Sequence, residues 1–241
     1  MSRERSIFWA PWDGRGMEHL RLTLDNEEIV ARGLVLGFAG GMPFRLRYKI
    51  KCDRHWRTRK LELEVHDLHG THERKLRTDG EGNWREHEGE ALSELAGCLD
   101  VDISATPFTN TLAVRRLNLQ PAENAGLSVA HIKMPELTLR PVSQRYTCNW
   151  RAPTGALVTY EGLFRGFKAD LALDADGLVM DYPETFRRLA PRLTSPLPQS
   201  GCERRKDNLP ATGLRRDEEP LQLGRILLSA ARSGKSPGAG D

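Results

Sequence analysis

Apolar and polar residues alternate along much of the chain. Residues 20–24 read LRLTL, residues 61–65 read LELEV, and similar alternation recurs between residues 145 and 173. A period of two places successive side chains on opposite faces of a strand, so this pattern predicts a mainly β protein. Turn sequences such as DADG at residues 174–177 separate the predicted strands and indicate antiparallel hairpins.

Prolines are expected to interrupt this pattern in the second half of the chain. Proline has no backbone N–H to donate within a sheet, so Pro135 and Pro141 are predicted to break strands. Pro183 is predicted to open a short helix that continues to Leu189, because proline is favoured at the first helical position. Residues 87–98 are predicted to form a short helical or irregular link to the central part of the chain.

The stretch over residues 99–119 combines features that occur together nowhere else in the chain. It reads LDVDISATPFTNTLAVRRLNL. Thr106 followed by Pro107 is typical of a helix start, with the threonine as N-cap and the proline at the first helical position. The competing interpretation is a strand over residues 112–119. Periodicity does not decide between them, and a short helical turn that leads into a strand satisfies both.

Two aspartates and two arginines carry the charge of this stretch. Asp100 and Asp102 alternate with apolar residues, so both are predicted to lie on one face of a strand. Arg115 and Arg116 point in different directions in a helix or in a strand, and at least one is expected to be partly enclosed. An unpaired buried charge is costly, so we expect that arginine to pair with one of the aspartates. The other is expected to be available to a ligand headgroup, because guanidinium groups bind phosphate and carboxylate in a bidentate way.

The same stretch is similar to the signature of a bacterial family described as glycolipid-binding. In that family aspartates precede TP-x-TNTLPIRRL, whereas this sequence has Ala113 and Val114 in place of the proline and isoleucine. The resemblance covers about residues 7–190. Further matching positions lie at the opening, at a mid-chain turn and at the end of this region: Trp12, Gly16, Glu18, Asp79, Gly80, Trp84, Gly177, Leu178, Val179, Asp181, Tyr182, Pro183, Phe186 and Arg187.

The resemblance implies a fold and a function. The fold is a spiral β-roll, a long curled antiparallel sheet around a short helix, similar to periplasmic lipoprotein carriers. A curled sheet with an open side offers a concave apolar pocket, so the expected function is binding of an amphiphilic ligand such as a glycolipid. The predicted ligand-binding residues all come from the central stretch: Thr109, Asn110, Arg115, Arg116, Asp100 and Asp102.

Two alternatives to a non-catalytic binding protein remain open. One is a hydrolase that uses Asp100 and Asp102, since paired carboxylates perform acid–base work when their environments separate their pKa values. Their spacing on one strand gives proximity without the facing geometry of a glycosidase pair. The other alternative is a purely structural or partner-binding module, in which large side chains fill the interior.

Composition excludes several classes of partner. The 241 residues carry a formal net charge of +3 with both signs interspersed, and nucleic-acid binders usually concentrate basic residues on one face, so no nucleic-acid partner is expected. No run approaches the roughly 20 apolar residues of a transmembrane helix. The first residues lack the apolar run of a secretory signal, so a cytoplasmic location is expected, with Cys52, Cys98, Cys148 and Cys202 reduced.

A cluster of histidines is the best candidate for a metal site. His66, His69 and His72 lie within seven residues and Asp67 lies among them. Their spacing does not match a helical ligand pair, and the segment falls where a hairpin turn is expected. We therefore predict solvated turn histidines, with no metal and no other cofactor.

The composition changes after about residue 194. Residues 195–241 are rich in proline, glycine and arginine and poor in aromatic and β-branched residues. Such a segment buries too little apolar surface to offset the entropy of ordering, which predicts a disordered tail. The preceding residues 1–194 are predicted to form the β-roll domain.

Overall fold

Fourteen strands and one α-helix make up the computed structural model, which describes residues 2–190. The helix, α1, spans Phe108–Leu117, and a short 3₁₀ turn spans Ser93–Leu95. The strands are β1 Arg3–Pro11, β2 Met17–Leu24, β3 Glu28–Ala39, β4 Met42–Asp53, β5 Thr58–Asp67, β6 Gly70–Thr78, β7 Trp84–Glu86, β8 Asp100–Ile103, β9 Asn124–Lys133, β10 Thr138–Ala152, β11 Gly155–Gly162, β12 Phe167–Asp174, β13 Val179–Tyr182 and β14 Phe186–Leu189.

All the strands belong to one long, curled, open sheet, which confirms the predicted fold class. From one edge to the other, β7 to β1 follow one another in reverse chain order, and β14 to β8 then continue the sheet. Neighbouring strands are antiparallel except β8 and β9, which are parallel. The pairing of β1 with β14 joins the two halves, with Trp9 opposite Arg188.

Burial on one face explains the alternation in the sequence. In β4, Leu46, Tyr48 and Ile50 are buried, whereas the lysine and arginine between them are not. The first turn of α1 packs into the same core through Phe108 and Leu112, which have no exposed surface. Each large apolar side chain buried in this way contributes about 1.5–3 kcal/mol to folding. The sheet therefore curls around the helix because both elements bury apolar faces against each other.

The central stretch forms a helix, so the strand interpretation of residues 112–119 is wrong. The helix begins one residue later than predicted, with Pro107 as its N-cap and Phe108 as its first residue. The Thr106 hydroxyl oxygen still accepts a hydrogen bond of 3.0 Å from the Phe108 backbone N–H. The helix ends at Asn118, whose φ of 47° is left-handed and whose N–H bonds to the Val114 carbonyl.

Two predictions based on proline are wrong. Pro141 lies inside β10 opposite Ala130 of β9, and pairing with β11 begins only at Gln144. At Pro141, β10 therefore pairs with β9 alone. A strand with one neighbour tolerates proline, because the missing N–H does not interrupt hydrogen bonding on both sides of the strand. The predicted helix from Pro183 to Leu189 is instead a turn followed by β14, whose backbone pairs with strands on both sides.

Other features of the described residues bear on function. Cys52, Cys98 and Cys148 are buried free thiols. Within residues 2–190, no helix has the length and apolar character to cross a membrane, and no three metal-ligating side chains come together. Cys202 and the predicted tail at residues 195–241 lie outside the described residues.

Candidate functional site

Strand β8 brings Asp102 to the N-terminal half of α1 and to the neighbouring strand. Asp102 lies directly opposite His131 in the parallel pairing of β8 with β9. Its carboxylate accepts hydrogen bonds from His131 Nδ1 at 3.0 Å and from Gln144 Nε2 of β10 at 2.8 Å. Thr109 of α1 donates a longer one at 3.4 Å. One carboxylate therefore links two strands and the helix.

The pairing with Asp102 defines what His131 offers to a ligand. In the neutral imidazole, a proton on Nδ1 is donated to the carboxylate, which leaves Nε2 as an acceptor. Nε2 forms no hydrogen bond within the described residues, and the histidine lines a cavity. The aspartate thus orients the ring and fixes the tautomer.

A second polar group reaches the same cavity from the helix. Asn110 is buried, and its side-chain carbonyl accepts a hydrogen bond of 2.9 Å from the Tyr146 hydroxyl. Its amide donates to the Pro107 carbonyl at 3.2 Å. Burial raises the pKa of Tyr146 well above its ordinary value, and the Asp102 charge adds to the rise. Tyr146 therefore stays a neutral hydroxyl that holds Asn110 in place.

Aromatic rings form the opposite wall of the cavity, which we call the aromatic cavity. Its volume is about 190 Å³, and Asp102, Asn110 and His131 line it together with the rings. The ring centroids lie 6.0–6.5 Å apart and form a connected cluster. Burial raises the pKa of Tyr160 and of Tyr182, so both hydroxyl groups remain protonated. The four rings are those of Tyr160, Phe167, Tyr182 and Phe186.

A positive charge lies at the aromatic cavity. Arg165 lines the cavity from the turn between β11 and β12. Its guanidinium lies 4.5 Å from the centre of the Phe164 ring, a distance typical of a cation–π contact. It forms no salt bridge within the described residues. Arg165 therefore offers hydrogen-bond donors beside a set of acceptors.

The arginines of the central stretch lie at the other end of α1. Arg116 binds Asp100 through three contacts of 2.6–3.0 Å, and the aspartate side chain is 1% exposed. Burial raises the pKa of Asp100, and the guanidinium acts against this rise. Arg115 is exposed, and its guanidinium lies 5.3 Å from the centre of the Trp56 ring. None of these residues lines the aromatic cavity.

The predicted site residues are thus divided between two places. Asp102 and Asn110 line the aromatic cavity, and Thr109 contacts the Asp102 carboxylate. The expected pairing of one arginine with one aspartate is present as Arg116–Asp100. That pairing separates the two carboxylates, because Asp100 faces Arg116 and does not line the cavity where Asp102 lies.

Sequence reasoning missed the residues that complete the cavity. His131 follows Asp102 by 29 residues, and only the parallel pairing of β8 with β9 brings them together. Tyr160 lies opposite Tyr146 across β10 and β11, a contact that also depends on register. The local sequence pattern does indicate that Gln144 is buried, because it lies on the same face of β10 as the buried Val142 and Tyr146.

Comparisons with known proteins find one family model and two solved structures that are similar to this chain. A family model described as "Putative glycolipid-binding" matches residues 6–188. A DUF1089 family protein from Pseudomonas aeruginosa is similar in structure, with 36% sequence identity, a TM-score of 0.64, and coverage of 73% of this chain and 92% of that chain. A beta-barrel-like protein of the domain of unknown function DUF1849 from Brucella abortus matches with 10% identity and a TM-score of 0.44, over 78% of this chain and 94% of that chain. No curated protein matches the chain.

Proposed function

Because the chain belongs to the glycolipid-binding family, we propose that it binds an amphiphilic molecule whose sugar-like headgroup enters the aromatic cavity. The observation that carries this proposal is the composition of the cavity wall. Aromatic rings line it together with a few convergent polar groups, which is the usual makeup of a small-molecule site.

The polar groups match the hydrogen-bonding needs of a hydroxylated ring. His131 Nε2 and the Asp102 carboxylate are acceptors for hydroxyl groups, while Arg165 is a donor. A sugar ring has apolar C–H faces as well as hydroxyl edges, and the rings of Phe167 and Tyr182 are flat apolar surfaces for those faces. The proposed function is non-catalytic binding. The predicted headgroup role of one of the two arginines, Arg115 or Arg116, and the cytoplasmic location stay predictions.

The test uses n-octyl β-D-glucoside as a probe, below its micellar concentration, titrated into the full chain by calorimetry. Phe167 is 37% exposed and lines the aromatic cavity, so Phe167→Leu removes a ring at little cost to the core. We expect at least a tenfold loss of affinity, which corresponds to about 1.4 kcal/mol.

The matched control is Trp150→Leu. Trp150 is also an exposed aromatic residue, and it lies near the far end of β10, outside the aromatic cavity. We expect it to bind octyl glucoside like the wild type. Equal losses in the two variants, or no loss in Phe167→Leu, contradict headgroup binding in the cavity.

A second candidate function is hydrolysis, favoured by the His131–Asp102 pair. A histidine oriented by a carboxylate is the arrangement of a general base, and His131 lines the aromatic cavity. This candidate predicts turnover of p-nitrophenyl octanoate that disappears in His131→Gln. The binding proposal predicts the same background rate for both proteins.

A further inference from the structure

A second cavity lies beside the aromatic cavity and is not used by the proposed headgroup site. Its volume is about 210 Å³, and it shares Ser104 and Phe186 with the aromatic cavity. Most of its wall is apolar, and Glu18 lies in it, so we call it the Glu18 cavity. The apolar residues that line it include Val35, Leu36, Phe38, Phe44 and Met134.

Glu18 is buried with only one of its two carboxyl oxygens satisfied. The residue is 2% exposed. Oε1 accepts hydrogen bonds from the Tyr48 hydroxyl at 2.5 Å and from the Thr106 hydroxyl at 2.8 Å. Oε2 is buried and has no partner within the described residues. A buried polar atom without a partner costs free energy, so a ligand that donates a hydrogen bond to Oε2 would remove this cost.

Two hydroxyl groups hold Glu18 in this position. Tyr48 approaches it across β3 because Gly33 has no side chain, and a Cβ at Gly33 would lie 2.0 Å from the Tyr48 ring. Thr106 also accepts the Phe108 backbone N–H, so the same hydroxyl connects Glu18 to the start of α1. Both contacts fix Oε1, and neither supplies a donor to Oε2.

We propose that the Glu18 cavity binds the apolar chain of an amphiphile that bears a hydroxyl group, and that this hydroxyl donates a hydrogen bond to Glu18 Oε2. The inference rests on the proposed function, because it assigns the chain of the amphiphile whose headgroup occupies the aromatic cavity. The residues shared by the two cavities, Ser104 and Phe186, place chain and headgroup side by side.

The charges around the cavity favour a neutral donor. Arg15 lines the Glu18 cavity and stacks 4.8 Å from the centre of the Phe38 ring, so a cationic ligand would meet a like charge there. An anionic ligand would meet the Glu18 carboxylate and Asp13, which also lines the cavity. A hydroxyl on an apolar chain avoids both repulsions and still supplies the missing donor.

The protonation state of Glu18 gives the test a second variable. Burial raises its pKa to about 7, while the hydrogen bonds from Tyr48 and Thr106 act in the opposite direction. Asp13 and Arg15 are the other charged residues in the wall. Above the pKa, Glu18 is a carboxylate that only accepts hydrogen bonds. Below it, the carboxyl also donates, and a ligand without a hydroxyl becomes an acceptable partner.

The experiment compares 1-octanol with octyl methyl ether, which has the same apolar chain and an oxygen but no donor. Binding of each probe to the full chain is measured by NMR titration at pH 8.5 and pH 5.5. At pH 8.5 we expect octanol to bind at least tenfold more tightly than octyl methyl ether, because only octanol can donate a hydrogen bond to the charged Glu18 carboxylate. At pH 5.5 the preference should fall below threefold.

Two variants test the role of Glu18 itself. Glu18→Gln keeps an acceptor for Tyr48 and Thr106 and presents an amide donor to the cavity, so the preference for the alcohol at pH 8.5 should disappear. Glu18→Leu removes the acceptor altogether and should give the same result if it folds. A wild type that binds both probes equally at pH 8.5, or a Glu18→Gln protein that keeps the preference, overturns the proposal.

The Phe167→Leu variant separates this proposal from the proposed function. It should weaken octyl glucoside binding and leave the preference for octanol intact. If octyl glucoside binding is unaffected by Phe167→Leu while the octanol preference depends on Glu18, the headgroup assignment alone fails. If octyl glucoside binds as proposed and the two octyl probes bind equally, the chain assignment alone fails.

Discussion

The two ends of α1 use polar residues in opposite ways. At the C-terminal end, Arg116 donates hydrogen bonds to both carboxyl oxygens of Asp100. Asp174 accepts hydrogen bonds from Arg5 at 3.2 Å and Arg188 at 2.7 Å, although Arg188 Nη2 is buried without a partner within the described residues. At the N-terminal end, Glu18 Oε2 has no partner, and the His131–Asp102 pair borders an open cavity. We call these the closed end and the open end.

The contrast explains where binding is expected. A buried ion pair with complete hydrogen bonding fixes one arrangement of the core, and losing one partner is costly. A buried polar group with an unused atom is unfavourable until a ligand supplies the missing hydrogen bond. We therefore expect the closed end to stabilise the roll and the open end to bind the ligand. Four predictions test this division, beginning with the largest expected effect.

The first prediction concerns the ion pair at the closed end. Arg116→Met leaves Asp100 buried and uncompensated, so it should lower the free energy of unfolding by about 3–5 kcal/mol in urea denaturation. The matched control is Arg115→Met, next to it on the exposed side of the helix. A loss below about 1 kcal/mol in Arg116→Met would show that the ion pair does not hold the closed end together.

The second prediction concerns pH and Glu18. Its pKa in the folded protein is about 7 against 4.5 for the free side chain, so the folded state binds the proton more tightly. This stabilisation is complete below about pH 4.5 and is lost as the pH rises through 7. Relative to Glu18→Gln, the wild type should lose about 3 kcal/mol between pH 4.5 and 8.

Urea denaturation of both proteins across this pH range measures that difference directly. Glu18→Gln lacks the titrating carboxyl and keeps an acceptor for Tyr48 and Thr106. The contributions of all other titrating groups to the pH dependence therefore cancel when the two proteins are compared. A wild-type-minus-variant difference that stays constant across the range contradicts the assignment of a raised pKa to Glu18.

The third prediction concerns Asp102 at the open end. Asp102→Asn replaces the carboxylate that accepts hydrogen bonds from His131 and Gln144 with a neutral amide. It should lower the free energy of unfolding by about 1–2 kcal/mol. It should also weaken octyl glucoside binding at least tenfold, because the tautomer and orientation of His131 are no longer fixed. Glu90→Gln is the control and should change neither quantity appreciably, because the exposed Glu90 carboxylate lies outside the aromatic cavity and makes no side-chain hydrogen bond or salt bridge within the described residues. Unchanged affinity in Asp102→Asn would remove this residue from the site.

The fourth prediction has the smallest effect. Arg115→Met removes an exposed cation–π contact with Trp56, so the free energy of unfolding should fall by less than about 1 kcal/mol. Because Arg115 lies at the closed end, octyl glucoside affinity should stay at the wild-type value. A clear loss of affinity would instead favour the headgroup role that the sequence predicts for this arginine.

The sequence predicts local patterns of this fold better than its long-range pairings. Alternation predicts strands, and Thr106 marks the start of α1, because both signals reside in neighbouring residues. The prediction of a helix at residues 183–189 is wrong because Pro183 is compatible with a turn as well as with a helix start, and only the pairing of β14 with its neighbours decides between them. The parallel pairing of β8 with β9 has no local signal.

The candidate site shows the same limit. The central stretch supplies Asp102 and Asn110, but His131 and the aromatic wall come from strands whose register the sequence does not specify. The sequence does indicate that Glu18 is buried, because it lies on the same face of β2 as the buried Leu20 and Leu22. A carboxylate in an inward position indicates a buried, paired or ligand-binding group.

The most direct test of the division between the two ends is an NMR titration of the isotope-labelled full chain with n-octyl β-D-glucoside. We expect the largest amide shift changes at the open end, at Asn110, His131, Phe167 and Tyr182. Amides around Arg116 and Asp174 should remain unmoved. Shift changes concentrated around Arg115, Arg116 and Asp174 would place the ligand at the closed end and contradict binding at the open end.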